Sequence, residues 1–458
     1  MADRVDVAYV LIWDRIVGAV AWDEARGFAT FEYDDDFLDL GLELSPLRMP
    51  ASGARSGQDL FSFPHLPEGT YKGLPGLLAD SLPDRFGNAI IDQWLARQGR
   101  RPADFSPVER LCYTGRRGMG ALEFKPVINE DLDESVPVQV RELTSLAQEV
   151  LDYRGGLKTN IGNDAGGALK NMGGDSKTAG GALLDIIRVG TSAGGNRPKA
   201  VIALNDETGE VRSGQVRAPE GFGYWILKFD GVTDRSLGDP AGYGRIEFAY
   251  HLMATAAGID MTECRLLEEG GRAHFMTRRF DRLDVGSELQ HETGDKLHLH
   301  SLCGLAHFDY NSPGSHSYEE AFQVMRELRL SYHDIEQLFR RMVFNVVARN
   351  QDDHTKNIAF LMDREGRWRL SPAFDLAYAY NPKGRYTSSH QMTIAGRRGS
   401  FVLEELVEVG QENSVNSPEE IVREIAGVVS TWPSLAKDAG VPEGQVESIG
   451  RSHRMYIV

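Results

Sequence analysis

The 458 residues, 41% of them apolar, suffice for roughly two to four domains around large cores, which excludes global disorder. Against 67 Asp+Glu stand 50 Lys+Arg, and the formal charge of −17 repels nucleic-acid phosphates, arguing against DNA or RNA binding by this chain without a basic patch or basic partner. Cys112, Cys264 and Cys303 are too widely spaced for a disulfide framework or a CxxC metal pair.

Met1-Ala2-Asp3-Arg4 has neither a basic n-region nor an apolar h-region, and Asp14 and Arg15 interrupt the apolar stretch Ala8 to Trp22. No signal peptide and no membrane span are expected, and the default expectation is a soluble cytoplasmic protein. Val5 to Trp13 and Ile16 to Trp22 are β-rich runs meeting at Asp14-Arg15, a predicted hairpin, with Ala29 to Tyr33 a third strand. Ala89 to Gln98 carries helical spacing through Ile90, Ile91, Trp94 and Leu95; Asp104 to Cys112 predicts a short helix and Gly120 to Phe124 a strand. Gln139 to Tyr153 is helical in pattern, and Gly155 to Gly181, rich in Gly, Asn, Ala and Lys, reads as a flexible loop and domain boundary. Lys199 to Asn205 and Gly223 to Phe229 read as paired strands, Glu247 to Ala257 as a helix and Ala273 to Phe280 as another strand. From Tyr318 onward the pattern is mostly helical, apart from a strand pair at Ile358 to Leu361 and Trp368 to Leu370 and the segment around 385–400.

The strongest chemical signal is Arg349-Asn350-Gln351-Asp352-Asp353-His354-Thr355-Lys356-Asn357, between a helix expected to end at Val347 and a strand starting at Ile358. Asp352 and Asn357 have the D-x-x-x-x-N spacing of a protein-kinase catalytic loop, in which the Asp orients the substrate hydroxyl and the Asn holds magnesium. That spacing chooses Asp352 over Asp353; the bland alternative is a polar turn. Pro372-Ala373-Phe374-Asp375-Leu376 follows the expected hairpin, where kinases place a second magnesium-binding Asp, although the order is not D-F-G; the plain alternative is an Asp in a loop that caps the next turn. Lys228 sits inside the apolar run Tyr224 to Phe229, and Glu247 follows 19 positions later, the order of a Lys–Glu pair that grips ATP phosphates; a snorkelling edge-strand lysine is the plain alternative. Ahead of it, Ser192-Ala193-Gly194-Gly195 could let backbone N–H groups approach phosphate, or simply turn a hairpin. His291, His298, His300, Cys303 and His307 cluster without a structural-zinc spacing, so folding or substrate contacts are expected rather than a metal; Asp80 and Asp84 read as turn and cap residues in packing of the N-terminal region.

Taken together, these residues resemble the HipA-type toxin kinases of bacterial type II toxin–antitoxin modules. The resemblance spans nearly the whole chain, through Gly73-Leu74-Pro75-Gly76, Leu82-Pro83-Asp84-Arg85-Phe86-Gly87, Gly118-Met119-Gly120-Ala121-Leu122, Ser192 to Gly195 with Arg197-Pro198-Lys199, Leu227-Lys228-Phe229, Arg279-Phe280-Asp281-Arg282 and the Asp352 and Asp375 segments. It implies an α+β, protein-kinase-like (phosphoinositide-kinase-like) two-lobe fold with an N-terminal α/β subdomain and an all-helical C-terminal lobe. The corresponding division is an N-terminal subdomain at 1–125, helix and Gly-rich linker at 126–182, ATP-binding part at 183–300 and mainly helical lobe at 301–458. It implies an ATP- and magnesium-dependent Ser/Thr kinase with Asp352 as base, Asn357 and Asp375 holding magnesium, Glu247 paired with Lys228, and autophosphorylation of Ser192 as self-inactivation. The implied nucleotide site comprises Ser192, Ala193, Gly194, Gly195, Lys228, Arg278, Phe280, His354, Lys356, Asn357 and Asp375. Arg279-Phe280 would form the adenine hinge, with Phe280 against the base; some members carry Glu where this chain has Arg278. The implied partners are a HipB-like helix-turn-helix antitoxin, operator DNA reached mainly through it, and an aminoacyl-tRNA synthetase such as glutamyl-tRNA synthetase, whose phosphorylation arrests growth and promotes persistence. A small-molecule phosphotransferase on the same fold and a catalytically silent partner of the antitoxin–DNA complex stay open as alternatives.

Overall fold

A computed structural model of the chain describes residues 4–57, 59–97, 99–128, 134–160, 188–190, 197–232, 242–283 and 296–458. Their strands, in chain order, are β1 (Val7–Ile12), β2 (Arg15–Asp23), β3 (Phe28–Tyr33), β4 (Leu60–Ser62), β5 (Leu122–Lys125), β6 (Lys199–Asn205), β7 (Val211–Ser213), β8 (Phe222–Lys228), β9 (Cys264–Glu269), β10 (Arg272–Arg278), β11 (His298–Ser301), β12 (Ala359–Met362) and β13 (Trp368–Leu370). The chain clusters into two compact units, neither continuous in sequence. One comprises Met1–Leu11, Ser81–Gly244 and Arg265–Lys296; the other comprises Ile12–Asp80, Arg245–Cys264 and Leu297–Val458.

The first unit is built on a sheet of order β7-β6-β8-β10-β9, antiparallel through β7/β6, β6/β8 and β8/β10. One face is apolar: Ala200, Ile202, Trp225, Leu227 and Met276 are buried with Phe86, Ile90, Ile91 and Leu95 of the helix Arg85–Arg97 and with Leu143, Ala147 and Val150 of the helix Val140–Asn160. The predicted spacing of Ile90, Ile91 and Leu95 therefore does bury one stripe. Asp84 begins that helix by accepting from the Gly87 amide at 2.5 Å, and the helix Pro107–Thr114 starts on a Ser106/Glu109 capping box. The helix Val140–Asn160 runs on through Gly155 and Gly156, where a loop is expected from composition; the rest of the Gly-rich stretch lies outside the described residues. The strand expected over Ala273 to Phe280 stops at Arg278.

The second unit has its core around the helix Tyr332–Val347, which a Ser331/Asp334 capping box starts. Leu338, Phe339, Met342, Val343, Val346 and Val347 are wholly buried against helices that include Tyr243–Ala256, Tyr318–Glu327 and Pro418–Val429. At about 1.5–3 kcal/mol per buried aliphatic or aromatic side chain, this one helix is a main source of the unit's stability. The lobe expected to be all-helical also contains a small sheet of order β11-β12-β13, antiparallel throughout, because the chain on either side of the candidate loop needs partners for its backbone groups. β2, β3 and β4 form a further antiparallel ladder with Phe31, Tyr33 and Phe61 packed edge to face. Trp13 and Asp14, both at positive φ, make the tight turn ahead of β2, one residue earlier than expected. Among the described residues no helix is long and apolar enough to cross a membrane.

Candidate active site on the Asp352–Asn357 loop

The helix Tyr332–Val347 ends where the sequence pattern placed its end. Arg349 then takes φ 59°, a left-handed turn that few side chains adopt, and its Nε donates to the Ser452 carbonyl at 2.8 Å. The turned chain is pinned by a two-way backbone pair: Gln351 N donates to Ala379 O at 3.1 Å and Ala379 N to Arg349 O at 3.2 Å. Asp352 follows with 49% of its side chain exposed and 3.9 Å from His354 Nε2, whereas the Asp353 side chain is 0% exposed. Two neighbouring carboxylates thus have opposite surroundings. A single helical turn, Thr355–Asn357, closes the loop; Thr355 Oγ1 donates to Phe308 O at 2.7 Å, and Asn357 Nδ2 donates to the Asp352 carbonyl at 2.8 Å. This last bond folds the loop on itself and leaves the Asn357 oxygen as the acceptor end of the amide.

Past Asn357, β12 and β13 form the expected hairpin, and the chain returns beside the loop. Arg341 Nη2 donates to Ser371 O at 2.6 Å, Ala373 N donates to Asp260 O at 2.8 Å, and Asp375 adopts φ 53°. Asn357 and Phe374, next to Asp375, line one small cavity with Tyr318, Asn345, Asn350 and Asp353. The fold thus brings Asp352, His354, Lys356, Asn357 and Asp375 into one unit. Lys356 Nζ lies 5.2 Å over the Tyr310 ring. Glu247 belongs to the same unit, buried and fifth in the helix Tyr243–Ala256, which starts one turn before the sequence pattern has it.

Lys228, Arg278 and Phe280 belong to the first unit. Lys228 ends β8 with its Nζ 5.5 Å over the Phe275 ring, and Arg278 lies 5.9 Å over Trp225. Lys199 is opposite Lys228 in register, which puts both lysines on one face of the sheet, Lys199 buried. The sequence marks Lys199 as the start of a strand and as part of the Arg197-Pro198-Lys199 motif but gives it no role in the candidate site; its place opposite Lys228 emerges only from the pairing. Arg279 and Phe280 were expected to continue the strand as a hinge but follow its end. There Arg279 donates to Asp281 at 2.9 and 2.7 Å, Arg282 to Asp281 at 2.7 Å, and the Gly120 amide to Asp281 at 2.7 Å. Burial alone would push the Asp281 carboxyl up; the two guanidiniums and the amide outweigh it and hold the carboxyl well below the usual carboxylate range. Ser192, Ala193, Gly194 and Gly195 lie outside the described residues.

Three of the clustered histidines make hydrogen bonds that hold the fold together. His298 Nε2 meets Leu44 O at 2.9 Å, His307 Nε2 accepts from Gly76 N at 3.2 Å, and His300 lies between Ser45 Oγ at 3.2 Å and Asp80 Oδ2 at 2.7 Å. Burial pushes His298 and His307 down to about 3, so both are neutral near pH 7. Asp80 also accepts from Ser301 N at 2.8 Å and Ser301 Oγ at 2.7 Å, a larger part than the turn residue expected. Burial acts to raise its carboxyl, but the His300 ring and these donors leave it below its ordinary value. Ser301 ends β11, and Leu302 N donates to Ile358 O at 2.8 Å, one residue past Asn357. His291 lies outside the described residues; among those described, no group of three His, Cys, Asp or Glu could hold a metal ion.

Residues 191–432 match the family model of the HipA-like C-terminal domain, and residues 8–125 that of the HipA N-terminal domain. The chain belongs to the HipA family. The HipA chain in a complex of Shewanella oneidensis described as a toxin–antitoxin system of HipA, HipB and operator DNA superposes with a TM-score of 0.62 at 15% identity, covering 98% of this chain and 96% of that one. That likeness gives the fold: a HipA, protein-kinase-like one. A relative named "Putative kinase Y4mE" from Sinorhizobium fredii is 26% identical over 176 residues, 37% of this chain and 39% of the relative, so the match spans well under half the relative's length.

Proposed function

We propose that this chain is an ATP- and magnesium-dependent Ser/Thr protein kinase, the cytoplasmic toxin of a HipA-type toxin–antitoxin module. The reading rests above all on the contrast within the Asp352–Asp353 pair: the residue that the D-x-x-x-x-N spacing selects is the half-exposed one, on a loop closed by Asn357. Family membership and the "kinase" in the name of the Sinorhizobium fredii relative support it.

In this reading Asp352 accepts or orients the substrate hydroxyl proton, and Asn357 and Asp375 supply oxygen ligands. Two such ligands suit magnesium, which takes one or two protein oxygens and completes its octahedron with phosphates and water. Bound magnesium would neutralise charge on the phosphates; the protein's own work is positioning. Lys228, with Lys199 on the same sheet face, offers positive charge to phosphates, and Glu247 is its proposed ion partner. Arg278, Phe280, His354, Lys356 and the Ser192–Gly195 segment complete the proposed nucleotide site, with Ser192 the self-inactivating phosphorylation site.

The Shewanella structure contains HipB and operator DNA. By extension, a HipB-like antitoxin is the proposed partner, and a basic DNA-holding partner suits a chain of charge −17. The proposed substrate is an aminoacyl-tRNA synthetase, whose phosphorylation would stop translation. The test is incubation of dephosphorylated protein with γ-labelled ATP and magnesium, alone and with bacterial lysate, followed by phosphosite mapping. Label on Ser192 and on a synthetase is the expected result; label on a metabolite alone, or none anywhere, overturns it.

A further inference from the structure

Asp353 is the buried member of the carboxylate pair, and everything that touches it comes from other parts of the second unit. Its Oδ2 accepts from His390 Nδ1 at 2.7 Å and from Tyr318 OH at 3.1 Å, and its Oδ1 from the Gln391 amide at 2.8 Å. The other His390 nitrogen, Nε2, lies 2.8 Å from Arg454 Nη1. A guanidinium has only donors, so Nε2 must be the acceptor and carry no proton; the ring proton then sits on Nδ1, aimed at Asp353. His390 is 0% exposed and has no room to exchange these partners with water.

Arg454 is itself held. Its backbone N donates to Val347 O at 2.9 Å and its Nη1 to Val346 O at 2.7 Å, the last turn of the helix that leads into the loop. Its Nη2 approaches Gln351 Oε1 at 3.4 Å, and Arg349 reaches from the loop to Ser452 O. The segment Ser452–Ile457 therefore caps the carbonyls that this helix leaves unpaired at its C-terminus and, through one imidazole, grips the residue beside Asp352. The Cα atoms of neighbouring residues are about 3.8 Å apart, so displacement of Asp353 moves Asp352 with it.

We propose that His390 is a positioning residue: fixed in its Nδ1–H tautomer between Asp353 and Arg454, it ties the C-terminal segment to the aim of Asp352. The proposal rests on the reading of Asp352 as the base, and two readouts separate the two ideas. The first is independent of activity. In the full chain labelled with 15N-histidine, the His390 ring, assigned by its loss in His390→Asn, is expected to show a protonated Nδ1 and a bare Nε2; a proton on Nε2 overturns the relay even if the kinase reading stands. The second is kinetic. Loss of the anchor lets Asp352 drift by the ångström-scale displacement that costs about 100-fold in rate. His390→Ala should therefore lower kcat by about that factor with the KM for ATP unchanged, while His390→Asn, whose amide N–H can still reach Asp353, recovers most of the loss. Arg454→Met should fall between the two. Full turnover in a folded His390→Ala, or equal loss in the Ala and Asn variants, sinks the inference. A wild-type chain with no phosphotransfer sinks the kinase reading, and the ring signal still decides the relay.

Discussion

Each of the two units buries a carboxylate completely, and they surround it in different ways. In the first, Asp281 sits between Arg279 and Arg282, cations that keep their protons at any ordinary pH. In the second, Asp353 and Asp80 are each paired with a histidine, His390 and His300, and the unit buries further histidines at 298 and 453. A guanidinium makes a permanent joint. An imidazole supplies a single directed ring contact, whose aim depends on what holds its other nitrogen. The permanent joint is found where the strand β10 ends; the imidazole joints are found around the candidate loop, where placement of one exposed carboxylate matters.

The comparison can be broken most severely at that carboxylate. Asp352→Gln should lower phosphotransfer by about 10²–10⁴-fold, the usual contribution of a general base, with the thermal melt unchanged. Retained labelling would remove Asp352 as the base, and a collapsed melt would make it structural. Next comes acid. Burial holds His298 and His307 down to about 3 and His453 down to about 4, below the ordinary 6.5. A depressed histidine binds its proton in the unfolded chain first, so stability declines as pH drops below about 6.5 and continues to decline to the folded values. These three residues predict a loss on the order of a few kcal/mol by pH 5 in the second unit, whereas the described residues of the first unit hold one such histidine, His274, whose burial also lowers it. Hydrogen exchange should show β11 and β12 opening further at pH 5 than β6 and β8; equal opening would erase the contrast. The carboxylates Asp80, Asp281 and Asp353 all lie below their ordinary values, so their contributions are intact above about pH 4 and vanish only as pH falls through the folded values.

Within the first unit, Asp281→Asn leaves two buried guanidiniums without counter-charge and should cost about 3–5 kcal/mol in urea unfolding. Asp80→Asn keeps an acceptor for Ser301 but removes the charge and should cost about 1–3 kcal/mol. A larger loss at Asp80 than at Asp281 would reverse the ranking of the two joints. The smallest effect belongs to the exposed pair Arg423–Glu419, one helical turn apart at 2.7 Å: Arg423→Ala should shift stability by about 0.3–0.5 kcal/mol and by less in high salt.

Much of the fold was legible in the residue pattern. β6, the end of the helix at Val347 and the β12–β13 hairpin fall where hydrophobic periodicity puts them, because each buries a continuous apolar set. The edges were less legible. Gly155 and Gly156 read as breakers yet lie in a helix whose preceding turns pack Leu143, Ala147 and Val150 into a core, so tertiary burial overrides a local preference worth about 1 kcal/mol per glycine. β11 escaped notice because its alternating His298, Leu299, His300 and Ser301 look polar; the histidines are buried only since Leu44, Ser45 and Asp80 meet their nitrogens.

By itself, the sequence determined the order and spacing of Asp352, Asn357 and Asp375 and the HipA resemblance, since a loop of set length between a helix and a strand is a local matter. It also ranked Asp352 above Asp353, by count alone. Only the tertiary structure decided why the two differ: Tyr318, His390, Gln391 and Arg454, distant along the chain, close around one carboxylate and leave its neighbour in water. Local propensity cannot encode such a difference, because burial and hydrogen-bond partners are properties of the packed chain.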